Sequence, residues 1–269
     1  MAPVTIAEDD GLHYVVFFSG GAASWAAARR LADRGKRMTL LFTDTMVEDE
    51  DLYRFIDEAA RDIGAPLIKL AEGRTIWQVF KDERYLGNTR ADPCSKILKR
   101  NLSRQWVEAN CNIEKTVLVL GLDWTELHRL ERSRSAWSPW RVEAPMTEAP
   151  YRLKSEMLAD ISARGMEPPR LYLMGFEHNN CGGGCVKAGQ GQFINLLRRF
   201  PDRFHEWEVN EEDVRQHLGK DVSILRGFGG RGRQTLKMLR ERVEAADKNL
   251  PVWGEDEIGG CACFEDPDE

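Results

Sequence analysis

The chain contains 269 residues, of which 42% are hydrophobic and 30% are charged, and its formal net charge is −6. This hydrophobic content excludes a mainly disordered chain, and no apolar run approaches the roughly 20 residues that a membrane helix needs. The acidic balance gives no overall attraction to nucleic acid or to an anionic membrane. The first residues lack a basic region followed by an apolar one, so we expect no signal peptide, no membrane partner and a cytoplasmic location.

Short apolar runs alternate with helical patterns through the first half of the chain. The runs predict strands at 14–18, 38–42, 67–70 and 116–120. Between them, apolar residues at helical spacing predict helices at 25–32 and 52–63 and a third that begins near Cys94. This order predicts an α/β fold, with an open, mainly parallel, Rossmann-like sheet covered by helices on both faces. Ligands of such sheets bind outside the carboxyl ends of the strands.

After about residue 135 the pattern becomes richer in prolines and helices. Helices are predicted at 152–163, 186–199, 210–218 and 233–247, and one further short strand at 171–174. We therefore divide the chain into an α/β domain over residues 1–135 and a mainly helical part over 136–269 that contains most of the cysteines and packs on the first.

A glycine-rich turn follows the first predicted strand. Its sequence is Ser19-Gly20-Gly21-Ala22-Ala23-Ser24. Two glycines allow successive N–H groups to face one anion, the following helix adds its positive N-terminal dipole, and the serines add hydroxyl donors. The turn therefore predicts a phosphate cradle, with an ordinary strand–helix turn as the alternative. It matches neither a Walker A loop nor the Rossmann glycine fingerprint.

The S-G-G-x-x-S turn resembles the PP-loop of the adenine nucleotide alpha-hydrolase superfamily, which includes ATP pyrophosphatases and phosphoadenylyl-sulfate (PAPS) reductases. Four further stretches resemble PAPS-reductase motifs in the same order. They are Phe42–Thr45, Asp92–Lys96, Gly121–Arg129, and Leu173–Phe176 followed by Cys181 and Cys185. The resemblance covers residues 14–190, and the remainder of the chain matches less well.

The resemblance implies a PP-loop type of fold whose first domain binds an adenine nucleotide, either ATP or PAPS. Asp44 would contact the ribose or the adenine amino group, and Gly121 would allow the base to approach closely. Arg129 and Arg132 would clamp an anionic group, with a solvated basic face as the alternative. The phosphate or sulfate oxygens would be held by Ser19, Gly20, Gly21 and Ser24.

The turn departs from ATP-hydrolysing members, which carry an aspartate just before the final serine. This chain has Ala22-Ala23 there, so the loop offers no carboxylate to help hold Mg²⁺. Reductase-type members also lack that aspartate. The departure favours a PAPS-reductase-like protein, or a degenerate ATPase, over a standard synthetase.

The resemblance also bears on the six cysteines. In iron–sulfur members of the family, cysteines that match Cys94, Cys181 and Cys185 help bind a [4Fe–4S] cluster, and Cys263 or Cys261 would supply the ligand that Pro93 replaces. One alternative is zinc held by Cys181, Cys185, Cys261 and Cys263, with His178 able to replace one of them. Another is a nucleophilic Cys261 or Cys263 on a mobile tail, and the last is unligated thiols. Cys111 is expected to be a simple, partly buried thiol.

Three functions follow from these patterns. The first is a PAPS-reductase-like oxidoreductase, in which a tail thiolate attacks the sulfur of an adenylyl sulfate and a thioredoxin-type reductant releases sulfite. The second is an ATP-dependent sulfurtransferase that modifies tRNA or DNA, which the basic segments 96–104 and 226–242 would hold. The third is a non-catalytic nucleotide-binding module.

Overall fold

A computed structural model describes residues 10–227 and 230–246 of the chain. Its centre is a five-stranded sheet in the order β3-β2-β1-β4-β5, in which every neighbouring pair is parallel. This arrangement confirms the predicted α/β fold class. The strands are β1 (His13–Phe17), β2 (Met38–Asp44), β3 (Leu67–Ala71), β4 (Thr116–Val119) and β5 (Arg141–Glu143).

Eleven α-helices lie within the described ranges. They are α1 (Ala22–Asp33), α2 (Glu50–Ile63), α3 (Ile76–Asp82), α4 (Pro93–Ser95), α5 (Leu102–Asn110), α6 (Leu130–Trp137), α7 (Lys154–Ala163), α8 (Arg170–Leu173), α9 (Gln190–Arg199), α10 (Pro201–Leu218) and α11 (Leu236–Ala245). A π-helical turn (Lys96–Asn101) joins α4 to α5, and 3-10 turns span Trp124–Arg129, Pro145–Thr147 and Asn180–Gly183. A two-stranded antiparallel ribbon is formed by β6 (Leu225–Arg226) and β7 (Arg233–Gln234). Across residues 10–227 and 230–246, no helix has both the length and the apolar character needed to cross a membrane.

The two faces of the sheet are covered by different helices. Alternate residues of a strand point to opposite faces, so Val16 packs with α1, α2 and α7 while its neighbour Val15 packs with α5 and α6. Both valines are fully buried, as expected for the central strand of a covered parallel sheet. A third apolar cluster joins α3 to α9, α10 and α11 and includes Trp207. The second half of the described chain is therefore mainly helical, as predicted.

Two predicted elements differ from the structure. The strand predicted at 171–174 is wrong, because these residues form the short helix α8. A short apolar run does not distinguish a strand from a helix, and here Pro169 precedes the helix while Gly175, at φ +80°, follows it. The fifth strand, β5, was not predicted, and it extends the sheet beyond residue 135. The helix predicted at 210–218 is the second half of α10, which begins at Pro201.

Gly121 brings the end of β4 against the start of α1. A Cβ atom on this residue would lie 2.5 Å from Ser24 Cα and 2.6 Å from Ser24 N, which are backbone atoms that cannot move independently of α1. Only glycine allows this approach. The contact therefore sets the position of the turn between β1 and α1 relative to the neighbouring strand.

We expect Gly121→Ala to lower the free energy of unfolding by about 1–3 kcal/mol, since the added methyl group overpacks a backbone contact. Urea denaturation measures this change. Gly191→Ala is the matched control, because a Cβ on Gly191 in α9 meets no atom within 4 Å. Equal unfolding midpoints for the two variants would show that the approach at Gly121 is not constrained.

Candidate functional site

The turn between β1 and α1, here called the cradle loop (residues 19–24), is held in shape by hydrogen bonds from its own serines. Ser19 Oγ donates to Ser24 Oγ at 3.3 Å, and Ser24 Oγ donates to the Gly21 carbonyl at 2.9 Å. Gly20 has φ +73°, and a Cβ there would overlap Leu52 of α2. The loop is therefore a tight turn that directs the N-terminus of α1 toward the carboxyl edge of the sheet, where the helix dipole favours an anion.

Two side chains from later in the chain close over the cradle loop. The Tyr172 hydroxyl accepts a hydrogen bond from Ala22 N–H at 3.4 Å, and the Asn179 amide donates to the Gly20 carbonyl at 3.4 Å. Asn179 is buried, and its Oδ1 has no hydrogen-bond partner within the described part of the chain. Sequence reasoning missed both residues, because their contacts cross about 150 positions of the chain and follow no local pattern.

Asp44 lies at the end of β2, beside β1 and on the same edge of the sheet as the cradle loop. Its Oδ1 accepts a hydrogen bond from the Met46 N–H at 2.7 Å, and its two oxygens accept from the Tyr53 hydroxyl at 2.9 and 3.0 Å. Burial and the hydrogen bond to Asp44 both raise the pKa of Tyr53. The carboxylate is thus held in one orientation at the position where the sequence predicts a nucleotide contact.

The two predicted arginines occupy different environments. Arg129 ends the 3-10 turn after β4, is buried, and forms an ion pair with Glu126. Arg132 lies on α6 and is exposed. The structure therefore does not present them as one clamp: Arg129 belongs to the interior of the site, and Arg132 to its surface.

Three of the cysteines lie around the ammonium of Lys99: Cys94 and Cys181 are buried, and Cys185 is half-buried. Burial alone would lower the pKa of Lys99. The charges of Glu48, Cys181, Cys185 and Cys94 outweigh this effect, so the pKa of Lys99 lies above its usual value. The Cys181 thiol donates a hydrogen bond to Cys185, which raises the pKa of Cys181 and lowers that of Cys185. Burial raises the pKa of Cys94, and the nearby Cys185 adds to this effect.

Among the described cysteines, Cys111 stands apart from this group. Cys111 follows α5, is half-buried against the apolar cluster that contains Val15, and has its pKa raised by burial. Cys261 and Cys263 lie outside the described residues. Within residues 10–227 and 230–246, no three donors from His, Cys, Asp and Glu are arranged to hold a single metal ion. A cubane cluster instead binds each thiolate to a different iron, and three thiols grouped around one cation are compatible with that chemistry.

The turn that carries Cys181 and Cys185, here called the cysteine turn (residues 181–185), needs each of its glycines. Cys181 itself has φ +50°, an unusual value for a residue with a side chain. A Cβ on Gly182 would lie 3.2 Å from the Val47 carbonyl, one on Gly183 would lie 2.7 Å from the Phe176 ring, and one on Gly184 would overlap Trp207. The C-G-G-G-C sequence is therefore explained by close packing of the turn on all sides.

One buried carboxylate joins the cysteine turn to the rest of the site. The Glu48 side chain is 2% exposed, and its Oε1 lies 3.5 Å from Lys99 Nζ. The Thr45 hydroxyl donates to Oε1 at 2.9 Å, and the Cys181 N–H donates to Oε2 at 2.6 Å. Lys99 lies in the π-helical turn, a feature often found at functional sites. An acidic residue shortly after β2 and a lysine shortly after Cys94 were visible in the sequence, but nothing there indicated that they meet.

The basic segments are largely engaged within the protein. Arg240 forms ion pairs with Glu208 at 2.8 Å and Glu244 at 3.1 Å, and Arg233 pairs with Asp221. In the other segment, Lys99 is buried beside Glu48, and Arg104 stacks on the Trp137 ring at 4.5 Å. These contacts give no support to a basic surface for nucleic acid.

We expect Lys99→Met to lower the free energy of unfolding by about 3–5 kcal/mol, because it leaves the Glu48 carboxylate buried without its counter-charge. Lys69→Met is the matched control. It removes a lysine whose 2.7 Å pair with Asp57 is exposed, so its effect should be about 0–1 kcal/mol. Urea denaturation of both variants tests the difference, and a change below 1 kcal/mol in Lys99→Met would contradict the importance of the buried pair.

Comparison with known proteins finds similarity at low sequence identity. No protein-family model matches the chain. "Uncharacterized protein MJ0066" of Methanocaldococcus jannaschii is 24% identical over 213 residues, covering 77% of this chain and 43% of that protein. The chain thus spans less than half the length of this relative. The crystal structure of phosphoadenylyl-sulfate (PAPS) reductase from Candida auris, a phosphate complex, aligns with a TM-score of 0.45 and 13% identity, over 64% of this chain and 82% of that one.

Proposed function

We propose that the chain is a PAPS-reductase-like enzyme that binds an adenine nucleotide at the cradle loop and an iron–sulfur cluster at Cys94, Cys181 and Cys185. One observation carries this proposal. The segment of residues 170–180, here called the linking segment, touches the cradle loop through Tyr172 and Asn179 and then continues directly into the cysteine turn. An anion in the cradle loop would therefore lie beside the thiol group.

The chain's own residues supply the nucleotide site. The N-terminus of α1 and the hydroxyls of Ser19 and Ser24 would hold phosphate or sulfate oxygens. Asp44, oriented by Tyr53, would accept hydrogen bonds from the ribose or the adenine amino group. Exposed Arg132 would bind an outer phosphate. Arg129, which is buried and paired with Glu126, would add positive charge from inside the protein. The absence of a carboxylate at Ala22-Ala23 favours a sulfonucleotide over Mg·ATP as substrate.

The thiol group supplies the second half of the site. A bound [4Fe–4S] cluster would add redox-active iron beside the nucleotide. Lys99 would offset the negative charge of the thiolates, while Glu48 and the surrounding apolar side chains keep its ammonium in place and exclude water. Cys263, or Cys261, is proposed as the fourth ligand or as the nucleophile. Free thiols in such a group favour a reducing compartment, so we also propose a cytoplasmic location.

The proposed reaction begins with a thiolate of Cys261 or Cys263. The sulfur of this thiolate attacks the sulfur of the adenylyl sulfate, and the sulfur–oxygen bond to the nucleotide phosphate breaks. The electron pair of that bond leaves with the phosphate oxygen, and the enzyme keeps a cysteine thiosulfonate. A thioredoxin-type dithiol then reduces the sulfur–sulfur bond, forms its own disulfide and releases sulfite.

Calorimetry on anaerobically prepared protein tests this proposal. Tight binding of PAPS or adenylyl sulfate, with sulfite released when a thioredoxin-type reductant is added, is the expected result. If the protein instead binds ATP and releases pyrophosphate, and RNA stimulates that release, the sulfurtransferase replaces the PAPS-reductase-like proposal. Binding without turnover would leave a nucleotide-binding module, and no binding of any of these nucleotides would reject all three.

We expect Cys94→Ser, Cys181→Ser and Cys185→Ser each to lower iron content and the absorbance near 400 nm, because each removes one thiolate ligand. Cys111→Ser is the matched control and should retain both, since Cys111 packs in a different apolar cluster from the other three cysteines. Iron and sulfide analysis after anaerobic purification measures the outcome. Unchanged iron in all three variants, or stoichiometric zinc in the wild type, would contradict the cluster.

A further inference from the structure

The Tyr172 hydroxyl occupies the place where an anion would first meet the N-terminus of α1. It lies 3.4 Å from the Ala22 N–H, and 3.2 Å from the position that a Cβ on Gly21 would take. Its oxygen accepts the Ala22 bond, and its hydrogen has no acceptor among the described residues. At 3.4 Å the bond is long and therefore weak, so a stronger acceptor can replace the phenol oxygen at little cost.

Tyr172 is held in this place by the short helix that carries it. Leu171 is fully buried, and the adjacent Arg170 is fastened to the buried Asp49 carboxylate by bonds of 2.8 and 3.0 Å. The Arg170 N–H donates to Asp51 Oδ2 at 2.7 Å. Backbone and side chain of Arg170 are therefore both tied to the start of α2. The hydroxyl of Tyr172 is presented by a fixed support and not by a mobile surface loop.

We propose that Tyr172 is a ligand-binding residue of the cradle loop, whose hydroxyl donates a hydrogen bond to an oxygen of the bound phosphate or sulfate group. The oxygen binds beside the Ala22 N–H and the Tyr172 hydroxyl, at hydrogen-bond distance from each, so that both donate to it. The exchange replaces one weak internal bond with two bonds to a charged acceptor, which are the stronger kind. This inference rests on the proposed function, because it assumes that the cradle loop holds the anionic part of the nucleotide.

A tyrosine is well suited to this position. Burial raises the pKa of Tyr172 to about 12, so its hydroxyl keeps its hydrogen throughout the physiological range. Glu126 also acts on this phenol and raises its pKa further, while Arg129, paired with Glu126, brings positive charge to the same side. The hydroxyl therefore recognises an oxygen acceptor without adding a charge of its own.

Tyr172→Phe tests the inference, because it removes only the hydroxyl and keeps the ring. Tyr14→Phe is the matched control: its hydroxyl donates to Asp10 at 2.8 Å, at the amino end of β1 and away from the cradle loop. Calorimetry with PAPS measures affinity for the anionic ligand. Adenosine, which has no anionic group, is measured as a competitor of PAPS.

We expect Tyr172→Phe to weaken PAPS binding about tenfold to a hundredfold, the usual loss for a hydrogen bond to a charged group. Tyr14→Phe should leave PAPS affinity within twofold of the wild type, and the adenosine inhibition constant should be the same in all three proteins. Unchanged PAPS affinity in Tyr172→Phe, or an equal loss for adenosine, would overturn the inference while leaving the proposed function intact. A wild-type protein that binds no nucleotide would overturn both.

Discussion

The buried carboxylate of Glu48 is the contact on which the candidate site depends. It receives the Thr45 hydroxyl from its own loop and the Cys181 N–H from the cysteine turn, and it faces the ammonium of Lys99 in the π-helical turn. Three segments that are distant in the sequence are therefore fixed around one charge. A buried ion pair adds little net stability, but it leaves few alternative arrangements, because either charge alone in the interior is costly. The position of the cysteines relative to the sheet follows from this pairing.

The linking segment connects this fixed arrangement to the cradle loop. Its start is fastened to the buried Asp49 through Arg170, and Arg203 donates to the same Asp49 and to the Gly182 carbonyl, both at 2.8 Å. Asp49 and Glu48 are adjacent residues in the short loop between β2 and α2. This loop lies at the carboxyl edge of the sheet, where ligands of parallel sheets bind. The cradle loop and the cysteine turn thus lie at one edge of the sheet, held at a common loop.

The sequence predicted the parts of this arrangement that have a local signature. The four longer strands contain short, mainly apolar runs, the cradle loop is a glycine turn between strand and helix, and the cysteines are recognisable by type and spacing. It did not predict Glu48, Lys99, Tyr172 or Asn179 as members of the site, because their roles come from contacts across the chain. Residues 171–174 were misassigned to a strand for a related reason: a four-residue apolar run is compatible with either element, and only the packing of Leu171 and the ties of Arg170 decide in favour of a helix. β5 was missed because three residues between prolines show no clear periodicity.

The claim that the cradle loop and the cysteine turn form one site is tested most directly by the reactivity of the cysteines with and without nucleotide. Buried thiols are alkylated through local opening of the structure, and a ligand that binds the closed form suppresses that opening. In metal-free protein, saturating PAPS should slow the alkylation of Cys181 and Cys185, followed by mass spectrometry, while Cys111, which packs in a different apolar cluster, reacts at its original rate. If calorimetry shows PAPS bound and the alkylation of Cys181 and Cys185 is unchanged, the nucleotide does not lie beside the thiol group and the account of a single site is wrong.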